Sequence, residues 1–151
     1  MSREADLVRM IFPPEGRDLV EDARLNRDAV REALGALLHP DLESEWHVAA
    51  DGSAPTPMRG VAKGFDSYWD RYQDFLETLE SYRITPEDPI ELEDGRIVIP
   101  SRNVLRARGG VELEFAGGAI WELEDGRIKR IDEYVDRAEL YRDAGIEPPD
   151  G

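Results

Sequence analysis

The order of local patterns along the chain predicts an α+β fold: helices first, then a run of antiparallel strands, then one short helix. The heptapeptide Glu-Leu-Glu-Asp-Gly-Arg-Ile occurs twice, at residues 91–97 and 122–128. Each copy sets Asp-Gly between alternating apolar flanks, and Asp-Gly tolerates the positive φ of a tight hairpin turn. Gly109-Gly110 lies between the copies and supplies a further turn, so the C-terminal half reads as successive hairpins. Upstream of them, apolar residues recur at the three- and four-residue steps of amphipathic helices.

Taken in order, residues 5–12 (Leu7, Val8, Met10, Ile11) form a short helical pattern stopped by Pro13-Pro14. Residues 19–38 are helical, with Leu25, Ala29, Val30, Ala33, Leu34, Leu37 and Leu38 as the apolar stripe. Asn26 is placed to cap a second segment within that helix, and Pro40 ends it. Residues 42–50 alternate, with Leu42, Ser44, Trp46, Val48 and Ala50 on one face and Glu43, Glu45 and His47 on the other, as in a half-buried strand. Residues 51–57 are a turn-rich loop. Residues 64–82 are the most aromatic stretch, where Tyr68, Trp69, Tyr72, Phe75, Leu76, Leu79 and Tyr82 give a broad helix face. Pro86 and Pro89 hold the next stretch at a sheet edge or in a loop. Strands follow at about residues 96–106, 111–123 and 127–135. Asp136, with Glu139 three places on, starts a helix over 137–143 that Gly145 stops.

A length of 151 residues fits a single domain, 1–151, with a frayed tail from about residue 147. Hydrophobic residues at 40% and charged residues at 35% mark a globular chain rather than a disordered one. The net charge of −15 argues against nucleic acid and anionic membrane surfaces as partners, since both are drawn to Lys/Arg patches. With no Cys, disulfides, thiolate nucleophiles and Cys-ligated metals are excluded. No signal-peptide pattern and no membrane-length apolar run is present, so a cytoplasmic protein is expected. Neither a phosphate-cradling glycine loop nor a dinucleotide fingerprint occurs, and no cofactor is expected. No metal is expected either: Glu43, Glu45 and His47 on one strand face read as solvated charges, and His39 as a helix C-terminal residue.

Registering the hairpins against each other identifies the inward face. A three-residue loop at 108–110 opposes Leu105 to Leu113, Asn103 to Phe115, Ile99 to Ala119 and Ile97 to Trp121. The reverse face pairs Arg106 with Glu112 and sets Val104 beside Glu114. Ser101 and Asn103 are polar intruders on the apolar face and must find partners or face a cavity. The last strand has two readings. A β-bulge near Lys129–Arg130, or at Gly117-Gly118, turns Ile131, Glu133 and Val135 inward with Ile128. Without a bulge, Asp132 and Tyr134 take the inward places and Glu133 is a solvated charge.

Helices, an early strand carrying Trp46, an aromatic helix, and long strands ending in Ile-Trp-Glu-Leu-Glu-Asp-Gly-Arg-Ile-Lys-Arg-Ile-Asp-Glu-Tyr-Val-Asp-Arg-Ala-Glu-Leu together resemble the SnoaL-like branch of the nuclear-transport-factor-2-like superfamily. The resemblance runs from about residue 25 to 146 and is strongest over 120–145. It implies a cone-shaped α+β fold, a curved antiparallel sheet wrapped around N-terminal helices with a central pocket, and a homodimer. Glu133-Tyr134-Val135-Asp136 looks like the acid-bearing segment of the limonene-epoxide hydrolase relatives and places Glu133 at the acid. Their Arg-x-Asp falls near Ser101-Arg102-Asn103, with Arg102 pointing outward by the register above. The two acids of ketosteroid isomerase fall at Trp46 and Ala119, and the paired His of scytalone dehydratase have no counterpart in His39 and His47.

The candidate catalytic residues are therefore Glu133, Asn103 and Asp132. The candidate ligand-binding residues are Trp46, Trp69, Tyr72, Ser101, Phe115, Trp121 and Tyr134, because core and pocket lining coincide in a cone. The expected partner is a small apolar or cyclic organic molecule. It would undergo cofactor-independent isomerisation, cyclisation, dehydration or hydrolysis, or else simply be bound by a non-catalytic or dimeric interaction module.

Overall fold

The hairpins form the centre of one curved, unclosed sheet. The computed structural model describes residues 6, 9, 11–13, 15–47 and 60–147. Its strands are β1 (Arg17–Asp18), β2 (Leu38–His47), β3 (Gly60–Lys63), β4 (Leu79–Pro86), β5 (Ile90–Glu91), β6 (Ile97–Ala107), β7 (Glu112–Glu124) and β8 (Arg127–Tyr134). The helices are α1 (Leu19–Leu37), α2 (Phe65–Glu77) and α3 (Arg137–Ala144). Strand order is β1-β4-β6-β7-β8-β2-β3, with β5 beside β6. Asp6, Arg9 and Ile11 have helical backbone, in keeping with the first expected helix. The loop expected at 51–57, the strand end at 48–50 and the tail from 148 lie outside the described residues. No helix among those described is long and apolar enough to cross a membrane.

The β6–β7 register is the expected one, including Leu105 opposite Leu113, Asn103 opposite Phe115 and Ile97 opposite Trp121. The repeated heptapeptide, read as one turn used twice, makes two different turns. At its second copy Asp125 (φ 54°) and Gly126 (φ 78°) form a tight two-residue turn, which needs positive φ at both places. At its first copy the chain closes a wider loop, with Leu92 N–H donating to the Arg96 carbonyl at 2.8 Å.

The decisive irregularity lies in β8. Glu122 pairs with Arg130 but Leu123 pairs with Ile128, leaving Lys129 as the extra residue of a bulge. Side chains alternate along a strand, so one inserted residue exchanges its faces. Ile128 and Ile131 both join the core with Leu42, Ile97 and Trp121. Beyond the bulge, β8 lies parallel to β2, with Ser44 beside Ile131 and Trp46 beside Glu133. The sheet expected to be antiparallel is thus mixed at this one junction. A row Trp46–Glu133–Ala119–Ile99 crosses four strands on the concave face.

The helices follow the sequence with two changes. Asp18 caps α1, accepting from the N–H groups of Val20 (3.0 Å) and Glu21 (3.1 Å), and also from Tyr82 of β4. Asn26 marks a kink (φ −139°, ψ 38°), as expected of a second start. Leu25, placed on the apolar stripe, is 67% exposed because α1 rests on the sheet through Val20, Leu34 and Leu37 instead. The aromatic helix ends at Glu77, not Tyr82, and Leu79 and Tyr82 belong to β4. The β6–β7 loop imposes this stop, because Arg108 donates from Nε to the Glu77 carbonyl (2.7 Å) and from its backbone N–H to the Thr78 carbonyl (3.2 Å). Strand pairing thereby outweighs a helical period that Leu79 and Tyr82 happen to continue. His39 likewise lies in β2 rather than ending a helix, since Pro40 forces extended backbone before it. Helix α3, capped by Asp136 and closed by left-handed Gly145, covers the convex face through Leu140 and Tyr141.

Gly117 admits no side chain: a Cβ there would lie 2.1 Å from the Tyr134 carbonyl oxygen. Gly117→Ala is expected to destabilise the fold by about 1–3 kcal/mol. Gly35→Ala in α1 meets only the Phe65 ring at 3.8 Å and is expected to stabilise by about 0.5–1 kcal/mol. Urea unfolding of the two variants checks both signs.

Candidate functional site

The concave face encloses a cavity of about 640 Å³, measured out to its open mouth, and Glu133 stands on its wall. A second lobe of about 660 Å³ adjoins it between α1 and α2, shares several walls, and also reaches Glu133. The first lobe exists because β7 sets Ala119 between the larger Phe115 and Trp121, all facing inward. Glu133 is half-buried and lines both lobes.

Desolvation alone pushes the Glu133 carboxyl up to about 7 from 4.5. No described cation or hydrogen-bond donor offsets it. The tyrosines facing it, Tyr68 and Tyr82, are themselves pushed upward, first by burial and then by the Glu133 charge, so they stay protonated. Tyr72 is raised in the same way, by burial first.

The polar intruders on β6 form a chain along one side of the first lobe. The Tyr82 hydroxyl donates to Asn103 Oδ1 (3.2 Å), and Asn103 Nδ2 donates to Ser101 Oγ (3.1 Å). Both Ser101 and Asn103 are buried. Arg137, reaching over from α3, donates to the backbone carbonyls of Ser101 (2.8 Å) and Gly117 (3.0 Å) and so fixes this end of β6 and β7.

Glu133, Asn103, Ser101, Trp46, Phe115 and Trp121 therefore meet at one cavity, and Tyr72 lines only its second lobe. Two candidates, Asp132 and Trp69, fall elsewhere, and a third, Tyr134, is only partly turned to the cavity. Asp132 points outward as a consequence of the bulge, held by Arg130 (2.9 Å) and His47 Nε2 (2.9 Å). Burial would raise its carboxyl, but these two partners outweigh burial and hold it below the usual range. Trp69 is buried between Phe65 and Tyr72 under Arg31, away from both lobes. Tyr134 borders the cavity, yet its ring stacks on His47 at 4.4 Å and its hydroxyl donates to Asp143 (2.9 Å) on the convex side. Tyr68, Tyr82 and Gln73 line the site without having been singled out. Tyr68 precedes Tyr72 by one helical turn, a signal that could have found it. Tyr82 was hidden by its helical assignment.

His47 is not a solvated charge but the centre of an ion-pair network. Glu45, His47 and Asp132 bring metal-ligand atoms within 4.8 Å of one another. Arg130 sits among them, donating to Glu43 and Glu45 at 3.1 Å as well as to Asp132. This cation occupies carboxylate oxygens of Glu45 and Asp132 that a metal would need.

Because the Glu133 carboxyl is raised in the folded state, the native protein holds a proton that the unfolded chain releases between about pH 4.5 and 7. Stability from this group is present at low pH and falls as pH rises through 7, by up to about 3 kcal/mol. Glu133→Gln is expected to remove that slope and to be more stable than the parent at about pH 8. Denaturant midpoints at about pH 5 and 8 check it.

The geometry agrees with that of known proteins. A family model described as the SnoaL-like domain matches residues 17–131. Among solved structures, an NTF2-like protein of unknown function from Burkholderia pseudomallei K96243 is 24% identical with a TM-score of 0.67, covering 94% of this chain and 97% of that one. TerC, co-crystallised with polyporic acid, is 17% identical with a TM-score of 0.65, over 93% and 97% of the two chains. A protein provisionally named a SnoaL-like polyketide cyclase, from Jannaschia sp. CCS1, is 13% identical with a TM-score of 0.65, over 97% and 94%. A comparison with curated proteins finds no match. These likenesses establish the fold, and the domain match spans most of the chain: the protein belongs to the SnoaL-like domain family.

Proposed function

We propose that this protein binds a small apolar or cyclic organic molecule in the concave cavity and performs cofactor-independent acid–base chemistry on it through Glu133. The observation that carries this reading is a carboxyl pushed to about 7 on an otherwise apolar cavity wall, without a counter-charge among the described residues. A group of that strength takes a proton from a carbon acid, or returns one to a developing oxyanion, near neutral pH. The buried Tyr82–Asn103–Ser101 chain gives the β6 part of the wall fixed polarity that orients a carbonyl or hydroxyl substituent. Relatives of this fold include TerC, co-crystallised with polyporic acid, which supports a small organic molecule as the ligand.

Isomerisation, cyclisation and dehydration each need such a single proton-transfer group. The hydrolase variant is less well supported. Arg102 lies on the exposed face, so the Arg–acid pair of the epoxide-hydrolysing relatives does not assemble. The same observation favours binding without chemistry as the second reading.

Thermal shift with a panel of small cyclic compounds is expected to raise the melting temperature, and Ala119→Leu, which fills the first lobe, is expected to abolish that shift. For a compound that turns over, Glu133→Gln is expected to lower kcat by about 10²–10⁴ while binding persists within a few-fold. The parent's kcat/KM should titrate near pH 7. Turnover unaffected by Glu133→Gln would take Glu133 out of the chemistry, and binding of the panel with no compound turned over would leave the binding-only reading.

A further inference from the structure

The lobe between α1 and α2 carries polar groups that the chemistry above does not use. Gln73, on the inward face of α2, is 6% exposed, and its Nε2 has no hydrogen-bond partner among the described residues. Trp46, on β2, is 7% exposed, and its Nε1 is likewise without a partner. Both residues line this lobe. A buried N–H without an acceptor costs free energy that an apolar residue of the same shape would avoid. The two residues that carry these donors come from different elements and border one space.

The rest of the lobe defines what those donors can meet. Leu19, Val30, Leu34 and Ile84 make its walls apolar. Its ionic residues, Arg17 and Asp22, are bound to each other at 2.6 Å. Away from Glu133 the lobe therefore offers neutral donors but no free charge, which suits a carbonyl, ether or hydroxyl oxygen on a neutral molecule. Glu133 borders both lobes, so one ligand can extend from the carboxyl into this space.

We propose that this lobe is a second binding subsite, in which Gln73 and Trp46 donate hydrogen bonds to an oxygen substituent on the part of the ligand remote from Glu133. The ligand class is then a neutral cyclic molecule oxygenated at both ends rather than a hydrocarbon or a singly oxygenated ring. This assignment rests on the cavity being a small-molecule site. Gln73 and Trp46 act as specificity residues and take no part in proton transfer.

The test uses 6-methoxy-1-tetralone, oxygenated at both ends, and 1-tetralone, oxygenated at one, as calorimetric probes. The parent protein is expected to bind the methoxy compound about tenfold more tightly, the size of one hydrogen bond. Gln73→Leu should erase that advantage while leaving the affinity for 1-tetralone within about twofold. Gln73→Leu should also raise the melting temperature of the free protein, because it removes an unpartnered buried amide. Binding of both probes without discrimination, or discrimination that survives Gln73→Leu, overturns the subsite alone. A fall in melting temperature assigns Gln73 a structural role and overturns it too. Failure of the parent to bind either probe overturns the small-molecule reading together with the subsite.

Discussion

The site depends on one extra residue in β8. With Lys129 left out of the ladder, every side chain downstream changes faces, and Glu133 rather than Asp132 enters the cavity. The two acids then meet opposite fates. Asp132 is stabilised as a carboxylate by Arg130 and His47, whereas Glu133 is desolvated beside Trp46 and Ala119. A straight strand would bury Asp132 and expose Glu133. It would also turn Ile131 out of a core in which it is now 3% exposed. Burial of that apolar side chain, worth about 1.5–3 kcal/mol, is of the size needed to hold an uncompensated carboxyl inside.

The wall around Glu133 maintains this condition. Tyr68, Tyr72 and Tyr82 are neutral at any physiological pH, so they add polarity without supplying a counter-charge. Tyr82 is turned toward Asn103, and Asn103 toward Ser101, which satisfies the buried polar groups of β6 among themselves. Arg17, the cation lining the second lobe, is held by Asp22 and by the Ile11 carbonyl. Positive charge is thus kept off the carboxyl by local pairing. The molecule's net charge of −15 acts in the same direction, disfavouring a further anion in the cavity.

Membership of the SnoaL-like family settles the frame and leaves the reaction to the side chains. The parallel junction of β2 with β8 belongs to that frame, and it is what brings Trp46 beside Glu133. The polar set of this cavity is one carboxyl, an Asn–Ser–Tyr chain and two donors unpartnered among the described residues.

Much of the fold was written locally. Asp125-Gly126 can accommodate the positive φ of a tight turn, and Asp136 and Gly145 fit the two ends of α3, so hairpin register and helix bounds follow from neighbours in sequence. Inward placement of Ser101, Asn103, Phe115 and Trp121 followed from the same register. Other features required distant partners. Leu79 and Tyr82 fit a helical period and a strand equally well, and Arg108 capping the end of α2 chose the strand. Between Glu133 and Asp132 the apolar pattern favours a bulge that turns Glu133 inward and keeps the straight strand, with Asp132 inward, as the second reading. A pattern of period two cannot fix its own phase, and the phase was set by pairing with β7 on one side and β2 on the other. Trp69 is aromatic by sequence and buried by structure, but which buried surface borders empty space depends on how helices and sheet fail to close upon each other. The sequence by itself determined the turns, the strands and the set of inward candidates, because these depend on φ and on alternation. Only the tertiary structure decided which carboxyl loses its water, because desolvation is a property of everything packed around it.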